Sequence, residues 1–262
     1  MTTAAVTRLQ QQRDPRALAV ADYLLAGANE PDSDAARARL HDRARASADP
    51  LLTVLALHKP CSQPGCRSIE AAQWSRLEPD NLLAWLVLPT TAGDSDYLLD
   101  QIASRVRLVR DYRREAAAVV DGSTGGVLGD SWPLLNLRSL AVSCPRDLHD
   151  ATRAQRCEKV ADLLWSGGGA VERLMALTLM QGVQRLQPER RALWGPRLQE
   201  VTLALRRLPD GQVIRPGPGA LCDLMTPPGS AVLAASDDWR RAWQVLAASG
   251  VYFDPNPDRR YR

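Results

Sequence analysis

The chain has few aromatic side chains other than tryptophan, with one Phe and five Tyr beside seven Trp in 262 residues. Sheets build their pleated faces from β-branched and aromatic residues. Ala, Leu and Arg, which favour helices, are abundant here instead. No run of about 20 apolar residues occurs, the length a membrane-spanning helix needs. The N-terminus shows no charged start leading into an apolar core, so no secretory signal is visible there. An excess of charge of one sign is also lacking: the net charge is +3, with a pI near 8.7. A nucleic-acid binder needs a clustered basic face rather than a small average excess. The densest basic runs are Arg105 to Arg114, Arg185 to Arg191 and Arg259 to Arg262. Each sits beside acidic or apolar residues and reads as a solvated helix face.

Catalytic motifs are missing as well. There is no Gly-x-Ser-x-Gly nucleophile elbow and no His-Glu-x-x-His zinc helix. The run Gly122-Ser123-Thr124-Gly125-Gly126 lacks the lysine and the preceding strand of a phosphate-binding loop, so it reads as a linker. The carboxylate pairs Asp94/Asp96 and Asp237/Asp238 stand at expected helix starts, where acids cap the helix and meet its dipole. No cofactor is expected.

What the chain does have is legible helix punctuation. Asp14-Pro15 and Asp49-Pro50 each place a capping acid before a first-turn proline. The first opens a stripe of Ala17, Leu18, Val20, Ala21, Leu24 and Leu25, and the second a shorter apolar run, Leu51 to Ala56. Asp32-Ser33-Asp34 opens a third helix, with Ala36, Leu40 and Ala44 on one face and Arg37, Arg39, Asp42 and Arg43 covering the other. Further helices are expected over Ser68 to Leu77, Leu82 to Leu88, Asp94 to Val109, Tyr112 to Val120, Leu134 to Val142, Asp147 to Trp165, Ala170 to Leu186, Ala192 to Leu208 and Asp237 to Ala248. Gly167-Gly168-Gly169 and Pro188 act as stops. Only Gln212 to Ile214 and Val251 to Phe253 resemble strands. Pro209 to Gly229 reads as a long Pro/Gly-rich loop near the C-terminus. The expected fold is all-α, an array of short antiparallel helix pairs in one domain. Two packed halves, 1–120 and 131–262, joined by the Gly-rich loop 121–130, are an alternative.

Five cysteines are present. Cys61 and Cys66 flank a Pro64-Gly65 turn, which returns the chain on itself and suits a disulfide. A Cys144–Cys157 bridge requires the chain between them to fold back through a loop around Arg146 to Asp150. Cys222 is left over. Zinc is the rival reading at Cys61 and Cys66, with His58 nearby, but no second ligand pair matches. Two disulfides imply an oxidising compartment, in a bacterium the periplasm. That expectation supposes a removed leader, and a cytoplasmic location is the alternative.

The segment Trp74-Ser-Arg-Leu-Glu-Pro-Asp-Asn-Leu-Leu-Ala-Trp85 resembles the junction between tetratricopeptide repeats. Leu77, Pro79, Asn81, Trp85 and, further on, Leu88 match that family's pattern. Pro89, Ala92, Arg67 and Ala71 depart from it, and no second copy stands about 34 residues away. The resemblance implies stacked helix pairs and a surface that binds a peptide or protein.

The expected function is therefore a non-catalytic, protein-binding helical scaffold of bacterial type. A narrower form is an immunity protein, an antitoxin that plugs an exported toxic enzyme. Trp239, Arg240 and Trp243, one turn apart on the last expected helix, together with Arg215 in the Pro/Gly-rich loop, are the expected partner contacts, since Trp and Arg often anchor interfaces. Two alternatives stand. An enzyme could use the polar cluster Asp147, His149, Asp150 and Arg153, although a solvated helix start accounts for the same residues. A helical nucleic-acid binder would show one continuous basic face and steep salt dependence.

Overall fold

Helix starts fall where acids precede prolines. The side chain of Asp14 accepts from Ala17 N–H at 2.9 Å and opens α2 (Pro15–Ala26). Asp49 accepts from Leu51 N–H at 3.0 Å and opens α4 (Pro50–Leu57). Each cap satisfies an amide that the first helical turn leaves without a partner, and each proline sits where its missing N–H costs nothing. Arg16, in the first turn of α2, donates to both Asp49 oxygens at 2.6 and 3.1 Å, so the cap of one helix is held by the start of another. By contrast Asp32, at the start of α3 (Ser33–Arg45), makes no side-chain cap bond.

The computed structural model describes residues 2–27, 32–88, 94–110, 112–120, 140, 142–167 and 169–206. The described residues form helices and connecting turns, with no strand among them. Besides α2, α3 and α4 these are α1 (Thr2–Gln11), α5 (Ala72–Leu77), α6 (Leu82–Leu86), α7 (Ser95–Arg105), α8 (Arg113–Val120), α9 (Ala151–Gly167), α10 (Ala170–Leu186) and α11 (Arg190–Arg206). The chain divides into two compact units: Met1–Leu88 with Arg110–Leu135, and Pro89–Val109 with Asn136–Arg262. Helices adjacent in sequence pack on each other within each unit, an arrangement compatible with a helical repeat.

In the first unit α2 is central and packs against α1, α3, α4 and α8. This explains why burial spreads beyond the expected stripe to Ala19, Tyr23 and Ala26. Helix α4 is buried over six consecutive residues, Leu51 to Ala56. Each large aliphatic side chain there contributes about 1.5–3 kcal/mol of transfer free energy. Helix α1, for which the sequence pattern gave no expectation, buries Ala5, Val6 and Leu9, and Arg8 donates to the Val120 carbonyl of α8 at 2.6 Å.

The expected helix over Ser68 to Leu77 is shorter. It begins at Ala72, because the backbone before it is committed elsewhere: Ile69 N–H donates to His41, and the Arg67 carbonyl accepts from Arg45. The helix expected from Asp147 begins at Ala151, with the Asp150 carboxylate accepting from Thr152 and Arg153 amides at 3.0 and 3.2 Å.

In the second unit α9 packs on α7 and α10, and α10 on α11. Arg153, Arg156 and Lys159 run along α9 at three-residue steps and grip α7. Arg153 donates to Ser95 Oγ at 3.0 Å, Arg156 pairs with Asp100 at 2.6 Å, and Lys159 donates to the Ala103 carbonyl. Trp194 of α11 is fully buried, with its ring edge-on to Trp165 of α9 at 6.3 Å. The Arg197 guanidinium lies 4.1 Å from the Trp194 ring and pairs with Asp162 at 2.7 Å.

Candidate functional site

The loop between α4 and α5 carries the first cysteine pair. Cys61 and Cys66 sulfurs lie 1.97 Å apart, with Cα atoms 5.6 Å apart. Cys66 N–H donates to the Gln63 carbonyl at 3.3 Å, and Gly65 has φ +92°. Proline then glycine at the two central positions, with positive φ at the glycine, matches a type II turn. Glycine reaches that backbone region without a Cβ penalty. The turn is what brings the two thiols within reach of each other.

This loop lies along one face of α3. Asp34, Arg37, His41 and Arg45 recur at steps of three or four residues and so share that face. The Asp34 carboxylate accepts from Ser62 Oγ at 2.9 Å, from Gln63 Nε2, and from Arg37 at 2.6 Å. Arg37 also donates to Ser62 Oγ at 2.8 Å and to the Ala26 carbonyl at 3.1 Å. His41, 1% exposed, spans both stems of the loop: Nδ1 accepts from Ile69 N–H at 3.2 Å, so Nε2 carries the proton and donates to the Lys59 carbonyl at 3.0 Å. Burial lowers the His41 pKa from its ordinary value. Lys59 is lowered too, by burial and then by Arg37, and its ammonium sits 4.7 Å from the Tyr23 ring centre. Ser62, Gln63, Pro64 and Gly65 remain exposed.

The arginines expected on the polar face of α3 have partners. Arg39 and Arg43 donate to the two oxygens of Asp22 on α2 at 2.8 and 3.0 Å, and Asp22 is buried. Arg37 belongs to the loop contact. Asp42 and Arg39 are exposed, Asp42 paired with Arg45 at 2.9 Å.

The repeat-like junction is built around a residue outside the matched pattern. Glu78 accepts from Trp74 Nε1 at 2.8 Å, from Asn81 Nδ2 at 3.2 Å and from the Tyr112 hydroxyl. Asn81 caps α6 through Leu83 N–H at 3.2 Å and pairs with both backbone groups of Arg110, at 2.9 and 3.1 Å. Trp85 Nε1 donates to the Pro79 carbonyl at 2.9 Å. Arg110 lies 4.4 Å from the Tyr112 ring and pairs with Glu115 at 2.9 Å. Burial and the Glu78 hydrogen bond raise the Tyr112 pKa. Part of the basic run Arg105 to Arg114 is thus tied into this junction. The matched residues Pro79, Asn81 and Trp85 act here as a local corner, and the surrounding polar groups are engaged with one another.

In the second unit the Cys144 and Cys157 sulfurs lie 2.11 Å apart, both residues buried, and the chain folds back through non-helical residues 146–150. Asp147 and His149 are exposed beside that fold-back, while Asp150 caps α9. Arg153 is turned away into the Ser143 carbonyl at 2.8 Å and the Asp96 carboxylate at 3.5 Å. No group of three or more His, Cys, Asp or Glu side chains placed to hold a metal occurs among the described residues.

Several expectations lie outside the described residues: the Gly-rich loop 121–130, the helix over Leu134 to Val142 in most of its length, Cys222, the Pro/Gly-rich loop, both short strand candidates, the last helix, and the contacts Arg215, Trp239, Arg240 and Trp243. Local sequence patterns did not point to the α3 stripe, the Asp22 clamp or Glu78. The stripe nonetheless had a signal, polar groups at three- and four-residue spacing shortly before the Cys61–Cys66 loop. Among the described residues no helix is long and apolar enough to cross a membrane. Comparison with protein-family models, curated proteins and solved structures returned no match.

Proposed function

We propose that this chain is a non-catalytic helical scaffold that binds another protein, and that the exposed loop from Ser62 to Gly65 is one of its contact elements. The observation that carries the reading is how this loop is held. A bridged cysteine pair closes it, a glycine turn shapes it, and four side chains of α3, namely Asp34, Arg37, His41 and Arg45, fasten it. An exposed loop ordered in advance loses less entropy on binding, so more of its contact energy appears as affinity. Binding residues also concentrate on loops that a rigid scaffold positions. Arg215, Trp239, Arg240 and Trp243 belong to the same reading as a second contact region, being residue types that anchor interfaces. Two cysteine pairs at disulfide distance favour an oxidising, extracytoplasmic setting. In that setting an immunity protein against an exported toxic enzyme is the narrower form of the proposal.

The test is site-specific photo-crosslinking in cells that make the protein, with the crosslinker at Pro64 and, as a control, at exposed Glu189 on the other unit. The expected result is a discrete protein adduct from position 64, absent from position 189 and lost under a membrane-permeant reductant. A captured partner is then assayed for an enzymatic activity that this chain inhibits. Adducts no stronger at 64 than at 189 would count against the loop. A turnover by the chain itself that His149→Ala abolishes would overturn the scaffold reading.

A further inference from the structure

We propose that His41 is an acid-sensitive latch: its neutral ring fastens both stems of the Cys61–Cys66 loop to α3, and protonation releases the distal stem, Arg67 to Ile69. The inference rests on the loop being the contact element proposed above, and it adds how that element would be regulated.

The geometry allows one protonation state. A neutral imidazole has one donor and one acceptor, and here both are used. Nε2–H faces the Lys59 carbonyl at 3.0 Å and Nδ1 faces the Ile69 N–H at 3.2 Å. A second proton must go on Nδ1, where an amide donor already points. Two donors would then face each other inside a site that is 1% exposed, and an unsatisfied buried donor is costly. The proximal stem is unaffected, because Nε2 is a donor in both states. The release is therefore one-sided.

The charges around the ring agree with this. Arg45, one turn further along the same face, opposes a second positive charge, and Asp42, the next residue, favours it. Lys59 heads the proximal stem and His58 caps α4, while Arg67 and Glu70 lie on the distal stem. From α2 the acid is Asp22, which is committed to Arg39 and Arg43. Once Ile69 is released, the distal stem keeps the contact from Arg45 to the Arg67 carbonyl, made by an exposed guanidinium. The cysteine bridge stays closed. Acid would thus leave the loop its shape and its contacts to Asp34 and Arg37, and loosen only the distal stem on α3.

The experiment is amide hydrogen exchange by NMR on the full chain, comparing Ile69 with Leu40 in the core of α3, after correction for intrinsic exchange. Between about pH 7 and about pH 4.5 Ile69 protection should fall by about tenfold or more relative to Leu40, because a charged ring has no acceptor left for the Ile69 N–H. In His41→Asn an amide oxygen can still accept near the Nδ1 position and nothing titrates, so the fall should disappear. Ile69 protection that does not change with pH, or an equal fall in His41→Asn, would overturn the latch. If that variant does not fold, imidazole nitrogen shifts in the native protein decide: the ring should take up its proton in step with the loss of Ile69 protection. A ring that stays neutral while Ile69 opens would overturn it. Crosslinking from position 64 at neutral pH reports on the contact reading separately, so either idea can fail without the other.

Discussion

Gly182→Ala opposes two effects of known sign. Gly182 lies inside α10, where replacing glycine by alanine ordinarily gains about 1 kcal/mol of helix propensity. Here the added Cβ would stand 2.5 Å from the Pro145 carbonyl oxygen and 3.3 Å from both Arg146 Cα and Leu148 Cδ1. The first contact is well inside van der Waals distance, and the atom it meets is backbone. That backbone has little room to retreat. Cys144 is joined to Cys157, its N–H donates to the Leu140 carbonyl at 2.8 Å, and Arg153 holds the Ser143 carbonyl at 2.8 Å. Overpacking of this kind costs about 1–3 kcal/mol and sometimes more. The clash should outweigh the propensity gain, for a net loss of about 1–2 kcal/mol. Urea denaturation followed by tryptophan fluorescence measures it, with the slope unchanged and the midpoint lowered. A second arm isolates the anchor: in a Cys144→Ser, Cys157→Ser background the same substitution should cost less, because the segment can move away. A Gly182→Ala variant as stable as the native protein would refute the close approach of α10 to this segment. An equal cost in both backgrounds would refute the role given to the bridge.

Three further outcomes are expected. Asp22→Asn removes a buried carboxylate shared by Arg39 and Arg43, for a loss of about 1–2 kcal/mol; both arginines also reach water, which keeps the cost at the low end of charge-assisted hydrogen bonds. A loss below a few tenths of a kcal/mol in thermal or chemical denaturation would contradict the clamp. Glu78→Ala leaves the Trp74, Asn81 and Tyr112 donors without their acceptor, at about 2–4 kcal/mol, whereas Glu78→Gln restores an oxygen and should recover at least half of that; equal losses in the two variants would show that hydrogen bonding is not what Glu78 supplies. The third concerns pH. Burial, with Lys59 adding to it, pushes the His58 pKa down to about 3. The unfolded chain binds this proton near pH 6.5 and the folded chain does not, so stability is complete above that pH and declines as pH falls toward 3. By about pH 4.5 the loss should be about 3 kcal/mol, and His58→Asn should flatten that part of the profile. An unchanged slope in the variant would assign the acid sensitivity to other groups.

Much of the helical pattern was legible because its signals are local. Asp14-Pro15 and Asp49-Pro50 start helices through contacts two or three residues away, and Pro64-Gly65 shapes its turn within four residues. The cysteine pairing was legible for the same reason, since both partners lie close in sequence, separated by 5 and 13 positions. The ends of helices were less so. Ala72 rather than Ser68 begins α5, because Arg67 and Ile69 give their backbone groups to α3, a partner no local pattern names.

The amino-acid sequence by itself thus determined the helices of the described residues and two bridged turns, through capping, periodicity and short-range chain reversal. Only the tertiary structure decided which polar groups are structural. A helical period assigns Arg37, Arg39 and Arg43 to an outer face, but it cannot say whether that face meets water, a neighbouring helix or a loop. Their partners, Ser62 and Asp22, lie 25, 17 and 21 residues away, and Glu78 meets Tyr112 across 34. Such pairings depend on where packing places the backbone, since a charge gains a partner only when the hydrophobic contacts around it have already fixed the distance between them.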